Sequence, residues 1–423
     1  MKKRALRLSQ CCFKREYRVK EISGGVCAPR GFLAGGVALG IKKGSVKKDL
    51  ALIYSPKTCV AAAMFTKNKV KAACVEVTRE NIADGKLRAI IANSGNANAC
   101  AGEEGMAAAR KMARLASSAL AIDPGEVAVA STGVIGVPLP IGKIESGMDA
   151  LKASLSAGGN ADALTAIMTT DTRMKEIAFE IEIEGVPVRV GAMAKGSGMI
   201  HPNMATMLAF ITTDAAIEKG ALDLSLRLAI KKSFNRVTVD GDTSTNDMVV
   251  IMANGEAGNK RITENDKSFA VFASALKEAC VFLARMMARD GEGATKLVTV
   301  KVSGAENEES AETLAKSVAS SSLVKAACFG ADANWGRVLC AMGYAGVDFT
   351  PEETDISFSS AAGTVKVCEN GMTIPFSEEK AKAVLSEEEI EILINARDGN
   401  AEAEVWGCDL TYDYVKINGD YRT

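Results

Sequence analysis

Short apolar runs follow one another in the first quarter of the chain and predict a largely buried sheet. Starting at Asp49, Cys59, Ala72 and Arg88, the sequence reads DLALIY, CVAAAMF, AACVEV and RAIIAN, with turn residues between the runs. Runs of this length, bounded by turn residues, are typical of buried strands. An alanine-rich segment over residues 103–120 predicts a helix, because alanine has the most favourable helix propensity.

The rest of the pattern mixes strands and helices without strict alternation. The segment EIAFEIEIEGVPVRVGAMA alternates on both sides of Glu184-Gly185, which predicts a β-hairpin. The runs TMLAFITTDA and LVTVKVSG and the terminal AEAEVWGCDLTYDYVKINGDYRT predict further strands. Helices are predicted near residues 221–235, 266–289 and 308–322. This order favours an α+β layered fold over a doubly wound one.

Composition and charge narrow the class of protein. The chain has 423 residues, enough for two domains or one large layered unit, with 48% hydrophobic and 24% charged residues. A formal charge of −1 gives no basic field for nucleic acid, and the apolar runs are too short for a membrane span. Eleven cysteines without a C-x-x-C pair, and a single histidine, argue against a disulfide framework and a zinc site. We expect a cytoplasmic protein that binds neither nucleic acid nor membrane.

The first twenty residues carry eight Lys or Arg and one Glu. A transit peptide, a solvated tail and a start codon placed too early are all compatible with this composition. No apolar h-region follows, so a secretory signal is not expected. We take residues 1–23 as a basic, disordered N-terminal tail.

Elimination limits the chemistry that the chain can perform. His201 is the only imidazole, no P-loop is present, GGVALG lacks the dinucleotide spacing, and no cluster of metal ligands emerges, so we expect no metal. A Ser or Thr can instead be activated by its own α-amino group once the chain is cut before it. Such an amine has a reference pKa of roughly 7.7–8, close to that of a useful base at neutral pH.

The stretch KGSGMIHPNMATML contains a bond that suits this chemistry. In Ala205-Thr206 a small residue precedes a hydroxyl, and an apolar strand follows. Gly196 and Gly198 permit unusual backbone angles ahead of the bond. From the residues alone, an ordinary glycine loop leading into a strand remains the alternative.

The same stretch resembles the cleavage signature of the ornithine acetyltransferase family, the glutamate N-acetyltransferases of the cyclic arginine pathway. Further similar stretches run in order from about residue 24 to residue 423: APRGFLAGGVALGIK, IANSGNANACAG, ASTGVIG, IMTTDTR, SFNRVTVDGDTSTND, ARDGEGATK, GADANWGR and YVKINGDYRT. The resemblance implies a layered αββα sandwich shared with self-processing aminopeptidases. It also implies self-cleavage between Ala205 and Thr206. The products would be an α chain, formed by residues 24–205 after the N-terminal tail, and a β chain of residues 206–423.

The implied reaction is a ping-pong transfer. Thr206 takes the acetyl group of N-acetylornithine, ornithine leaves, and glutamate then receives the acetyl group to give N-acetylglutamate. The resemblance implies no bound cofactor and an α2β2 assembly of the two cleaved chains. Many relatives also use acetyl-CoA as a co-substrate, and we favour this bifunctional activity over a monofunctional ornithine acetyltransferase.

The resemblance also implies which residues form the site. The oxyanion hole falls on Thr132 and Gly133, and the implied substrate contacts are Thr169, Lys195, Thr206, Glu292, Asn418 and Thr423. Lys195 can pair with an α-carboxylate and Glu292 with an ammonium group. Thr170 is the alternative to Thr169. His201 has no implied catalytic role.

Two further alternatives stay open. A self-processing amidase or aminopeptidase on the same fold would pass the acyl group to water, and an uncleaved, inactive binding protein would use no nucleophile. A separate question is whether the carboxylate-rich VDGDTSTND at residues 239–247 binds a cation. It lacks the downstream Glu of an EF-hand loop. We interpret it as a polar turn that positions groups near the site.

Overall fold

The computed structural model describes residues 19–42, 44–201 and 207–420. Within these ranges the strands β1 to β15 are, in chain order, Lys20–Ile22, Leu33–Val37, Leu50–Phe65, Lys86–Asn96, Val127–Val134, Lys175–Ile183, Val186–Lys195, Leu208–Thr213, Met248–Ala253, Leu297–Ala305, Asp355–Ser360, Gly363–Glu369, Met372–Thr373, Glu389–Asn395 and Ala401–Cys408. The helices α1 to α11 are Ala73–Asn81, Gly102–Leu120, Ile141–Ala153, Asn160–Ile167, Lys219–Lys231, Lys267–Arg289, Glu308–Ser320, Ser322–Phe329, Trp335–Gly343, Glu378–Leu385 and Tyr412–Asp420.

The larger sheet folds back on itself. It has nine strands in the order β1-β6-β7-β8-β9-β3-β4-β5, with β2 also paired to β3. Strands β7 and β5 are five positions apart, about 24 Å in a flat sheet. Yet Lys195 at the end of β7 donates a hydrogen bond of 3.2 Å to Thr132 in β5. The sheet therefore bends between them, and the long strand β3 carries a register shift between Tyr54 and Cys59 where it pairs with β4.

The two halves of this sheet form inner layers, and helices pack on them. In β8, Leu208 and Phe210 belong to the hydrophobic cluster that β2–β5 build with α1–α4. The alternate residues Ala209 and Ile211 belong to the cluster with α5 and α6. This alternation follows from the two-residue period of a strand that is buried on both faces. The arrangement confirms the predicted α+β class and its αββα layering.

A second, six-stranded sheet follows in the order β13-β12-β11-β14-β10-β15. It has its own hydrophobic cluster, in which α7, α9 and α10 pack on the strands. A parallel bridge between Val237 and Trp406 in β15 connects this unit to the segment after α5. The second sheet thus brings the C-terminal helix α11 back toward the first.

Most predicted elements are confirmed, but two are wrong. AACVEV belongs to helix α1, in which Cys74, Val75, Val77 and Thr78 are buried with helical spacing; its β-branched composition suggested a strand. The strand predicted at the C-terminus ends at Cys408, and residues 412–420 form helix α11. This helix is capped at its start, because the backbone N–H of its third residue donates to the hydroxyl of Thr411.

Residues 1–18 of the expected N-terminal tail lie outside the described part of the chain. Lys20–Ile22, which fall within the expected tail of residues 1–23, form β1 and pair with β6. None of the helices in the described ranges is long and apolar enough to span a membrane.

Candidate active site

A glycine turn at the end of β5 presents a hydroxyl and a backbone N–H. Gly133 has φ = 132°, and a Cβ atom there would lie only 2.4 Å from the carbonyl carbon of Gly95 in the neighbouring strand. Only glycine fits this position. The Asn246 amide fixes Ser131, two residues before Gly133, by donating to its carbonyl at 2.8 Å. Thr132, between Ser131 and Gly133, is therefore held in a defined position.

Lys195 at the end of β7 contacts this turn. Its side chain is buried, and Nζ donates to Thr132 Oγ1 at 3.2 Å. Because the hydroxyl accepts this bond, its own hydrogen can be donated elsewhere. Burial lowers the pKa of Lys195, and the nearby Asp171 carboxylate opposes this effect. The end of β7 thus places a buried lysine, whose pKa is lowered by burial, against the Thr132 hydroxyl.

A buried ion network anchors the loop that follows β7. Lys175 Nζ donates to Asp171 Oδ1 at 2.7 Å and also to Asp290 Oδ2, and the side chains of all three are buried. Asp171 Oδ1 also accepts the Gly196 N–H at 2.7 Å. Burial alone would raise the pKa of Asp171, but Lys175, Lys195 and this N–H together lower it to about 2. The carboxylate therefore stays ionised and fixes the start of the loop.

Glu292 lies against the same loop. It follows α6 in a glycine-flanked turn, and its backbone N–H donates to the Ser197 carbonyl at 3.0 Å. A Cβ atom added at Gly198 would come within 2.3 Å of Glu292 Oε2, so the carboxylate packs directly on the glycine. Asn418 of α11 donates to Glu292 Oε2 at 2.9 Å. The carboxylate is held by groups that are distant in sequence.

The polar turn at residues 239–247 binds both flanks of residues 202–206, which themselves lie outside the described part of the chain. On one side, the Asp240 carboxylate accepts the N–H groups of Met199 and Ile200. On the other, Asp247 Oδ1 accepts the Met207 N–H at 2.9 Å. No group of three or more His, Cys, Asp or Glu among the described residues is arranged to hold a metal ion.

Five of the residues implied by the sequence fall into two groups: Lys195 contacts Thr132, which precedes Gly133, and Asn418 contacts Glu292. Thr169 joins the ion network, because its backbone N–H donates to Asp171 Oδ2 at 3.0 Å. Ala205, Thr206 and Thr423 lie outside the described residues. His201 has a local partner, since its Nδ1 is 3.1 Å from Thr238 Oγ1.

The sequence analysis did not single out Asp171, Lys175, Asp290 or Asp247. Asp171 stands inside the motif MTTDT and Asp290 inside ARDGEG, so both motifs pointed to the right segments. Charged residues are rarely fully buried unless they are paired, and the pairing partners here are up to 115 positions apart. The composition of a segment gives no signal for such a pairing.

The arrangement can stabilise charge of both signs. A hydroxyl and a backbone N–H at the end of β5 can donate to a developing oxyanion. The Glu292 carboxylate, with its Asn418 partner, can accept an ammonium group. Both features lie around the loop that leads to Ala205-Thr206.

The family model that matches this chain and two of its curated relatives name the same family. A family model described as the ArgJ family matches residues 33–423. The arginine biosynthesis bifunctional protein ArgJ of Symbiobacterium thermophilum is 54% identical over 403 residues, which cover 95% of this chain and 99% of that protein. Its Bacillus subtilis counterpart is 46% identical over 409 residues, covering 96% and 99%.

Two solved structures of this kind are also similar. A crystal structure of arginine biosynthesis bifunctional protein ArgJ from Bacillus halodurans is 48% identical, covers 51% of this chain and 100% of its own, and has a TM-score of 0.48. The ornithine acetyltransferase of Mycobacterium tuberculosis, solved with ornithine, is 40% identical, covers 44% and 99%, and has a TM-score of 0.41.

Proposed function

The chain belongs to the ArgJ family, and from this premise we propose that it is an acyltransferase of arginine biosynthesis that moves the acetyl group of N2-acetyl-L-ornithine to L-glutamate. The observation that carries the proposal is the hydrogen bond from Lys195 to Thr132. It joins an oxyanion donor to the strand end that leads into the Ala205-Thr206 segment.

Self-cleavage between Ala205 and Thr206 would create the nucleophile. The new α-amino group of Thr206 would act as the base for its own hydroxyl, which attacks the acetyl carbonyl of N-acetylornithine. The tetrahedral oxyanion would accept hydrogen bonds from the Thr132 hydroxyl and the Gly133 N–H. Ornithine then leaves, and the amino group of glutamate attacks the acetyl-threonine. The same oxyanion hole stabilises this second tetrahedral intermediate.

Recognition of the amino-acid substrates would come from fixed polar groups around the loop. Glu292, held by Asn418, is the proposed partner of a substrate ammonium group. Lys195 is the proposed partner of an α-carboxylate. We assign the remaining contacts to Thr169, Thr206 and Thr423. A charged pocket of this kind favours an amino-acid acceptor over water, because Glu292 and Lys195 can pair with the opposite charges of an amino acid.

The relatives are named bifunctional proteins, and we propose that this chain likewise uses acetyl-CoA as a co-substrate and holds no bound cofactor. We also propose a cytoplasmic α2β2 assembly of the two cleaved chains. Antiparallel pairing of β7 with β8 supports lasting association, since the proposed cut falls between two neighbouring strands of one sheet.

The test is an assay in two tubes. Purified protein is incubated with N-acetylornithine, with and without glutamate, and the release of ornithine is followed together with the formation of N-acetylglutamate. We expect continuous ornithine release only with glutamate, in equal amounts with N-acetylglutamate. Equal ornithine release in both tubes would show transfer to water, as expected of an amidase.

A further inference from the structure

We propose that Asn246 is a positioning residue for the oxyanion hole, and that its side-chain amide holds the backbone from which Thr132 and Gly133 donate. This inference rests on the proposed function, because it concerns the same reaction. Asn246 belongs to the polar turn of residues 239–247, and it contacts Ser131, 115 positions earlier in the chain. The polar turn thus acts on acetyl transfer through the backbone rather than through a contact with substrate.

The Asn246 side chain forms a clamp between two strand ends. It is only 5% exposed, and Nδ2 donates to the Ser131 carbonyl at 2.8 Å and to the Ala97 carbonyl at 2.6 Å. Ser131 lies in β5, and Ala97 directly follows β4. These two strands are parallel, with Gly95 opposite Gly133. Asn246 therefore connects the residue two positions after Gly95 with the residue two positions before Gly133.

The partners of the Asn246 amide fix its orientation. Carbonyl oxygens accept hydrogen bonds but cannot donate them, so the NH2 group must face Ser131 and Ala97. The other end of the amide, Oδ1, accepts a hydrogen bond of 2.5 Å from the Thr245 hydroxyl. A half-turn of the amide would lose these bonds and would place Oδ1 against two carbonyl oxygens. The amide is therefore held in one orientation.

The Ser131 carbonyl belongs to the peptide group that leads into Thr132. The Ser131 side chain has an anchor of its own, because its Oγ donates to Asn93 Oδ1 at 2.7 Å. Replacement of Asn246 would therefore release the peptide group rather than the side chain. Rotation of this peptide group moves the Thr132 hydroxyl that Lys195 contacts. A misplacement of about 1 Å in a reacting site can lower a rate about 100-fold.

The experiment measures acetyl transfer from N-acetylornithine to glutamate by wild type and Asn246→Leu, per mole of cleaved enzyme as determined by intact mass. Leucine keeps the branched shape of asparagine but cannot donate a hydrogen bond. We expect kcat to fall about 10- to 100-fold, because the two oxyanion donors are displaced rather than removed. KM should change by less than about threefold, since both half-reactions use the same hole and slow together.

Asn259→Leu is the matched control. Asn259 is also buried, and its Nδ2 donates to the carbonyls of Ala216 and Lys260 at 3.1 and 2.7 Å. These partners lie outside the oxyanion turn, so the variant should lower the melting temperature but keep kcat within about threefold of wild type. An equal fall of kcat in both variants would show a general effect of lost buried hydrogen bonds and would overturn the inference.

A double-mutant cycle with Thr132→Val tests whether Asn246 acts through the hole. If the amide places the Thr132 hydroxyl, Asn246→Leu should have a smaller effect once that hydroxyl is absent. We expect the loss of kcat in the double variant to be at least about threefold smaller than the product of the two single losses. A loss equal to that product would overturn the inference.

Thr245→Val decides the question should Asn246→Leu fail to fold or to cleave. It removes the hydroxyl that orients the amide and leaves Asn246 itself in place. Its kcat should fall, and Thr245→Ser should restore it. A wild-type kcat in Thr245→Val would then overturn the inference.

The outcomes for wild type separate this inference from the proposed function. Wild type that transfers acetyl groups to glutamate, together with an unchanged kcat in Asn246→Leu, would contradict only the role of Asn246. Wild type that forms no N-acetylglutamate from N-acetylornithine would contradict the proposed function.

Discussion

The Thr132 hydroxyl has its hydrogen available for an acceptor other than Lys195. Lys195 Nζ donates to Oγ1, so the hydroxyl acts as an acceptor toward the lysine and keeps its own hydrogen for another acceptor. The glycine cannot be replaced, because the Gly95 backbone fills the position of a Cβ atom. The two donors of the proposed oxyanion hole are thus fixed by different causes, a hydrogen bond and close backbone packing.

We expect Thr132→Val to lower kcat for acetyl transfer by about 100- to 1,000-fold, equivalent to roughly 2.7–4 kcal/mol of transition-state stabilisation. Valine keeps the shape of threonine but cannot donate a hydrogen bond. Steady-state kinetics on the cleaved enzyme should show little change in KM, and Thr132→Ser should retain most of the rate. A Thr132→Val rate within threefold of wild type would exclude the hydroxyl from the hole.

At the residue scale, the sequence indicated which segments contribute to the site more reliably than it indicated which side chains contact each other there. Thr132, Lys195 and Glu292 stand in motifs that are recognisable from the sequence, and the structure connects each of them to the loop before Ala205-Thr206. The burial of Asp247 has no such signal. Whether a carboxylate is buried, and whether its oxygens find donors, depends on strands that pair only in the folded chain.

At the scale of elements, the ion network of Asp171, Lys175 and Asp290 connects β6, the loop after β7 and the end of α6. Asp290 also accepts the backbone N–H groups of Thr172 and Arg173. Burying charges costs desolvation free energy, and the attraction between the charges offsets this cost only when every member of the network is paired. Removal of one member should therefore destabilise both the end of α6, which precedes Glu292, and the loop after β7, which follows Lys195.

We expect Asp171→Asn to lower the free energy of unfolding by about 3–5 kcal/mol at pH 7, because it leaves Lys175 with one carboxylate fewer. The folded pKa of Asp171 is about 2, below the ordinary 3.8. The resulting stabilisation of about 2 kcal/mol is present above pH 4 and is lost as the pH falls toward 2. Urea unfolding at pH 7, 4 and 3 should show the difference between wild type and variant shrink with acid.

The exposed Asp84, whose contact with Lys86 is 3.9 Å long, offers the control. Asp84→Asn should change the stability by less than about 1 kcal/mol at any of these pH values. A difference between wild type and Asp171→Asn that stays constant from pH 7 to pH 3 would contradict the assigned role of the network.

Local patterns predicted some elements well and misled at others. The hairpin of β6 and β7 was predicted correctly because its strands alternate strictly and Glu184 and Gly185 both adopt positive φ angles in the turn. AACVEV reads equally well as a buried strand and as a buried helix, and its continuation to Thr78 decides for the helix. Short apolar runs do not resolve this ambiguity.

At the scale of the molecule, the proposed cut does not separate two domains. Strand β7 before it and β8 after it pair antiparallel, and β8 pairs in turn with β9. The layered class could be predicted from the mixture of elements. The bend of the sheet at β3, which brings Lys195 to Thr132, could not, because it depends on contacts between strands five positions apart.

The most direct test of the account is the mass of the chain of residues 206–423 after incubation with N-acetylornithine alone. We expect it to gain the mass of one acetyl group, located on Thr206 by fragmentation, and to lose it when glutamate is added, with N-acetylglutamate as the product. Thr206→Ala should remain one uncleaved chain without the added mass. A wild-type chain that forms N-acetylglutamate without ever carrying an acetyl group on Thr206 would contradict the proposed mechanism.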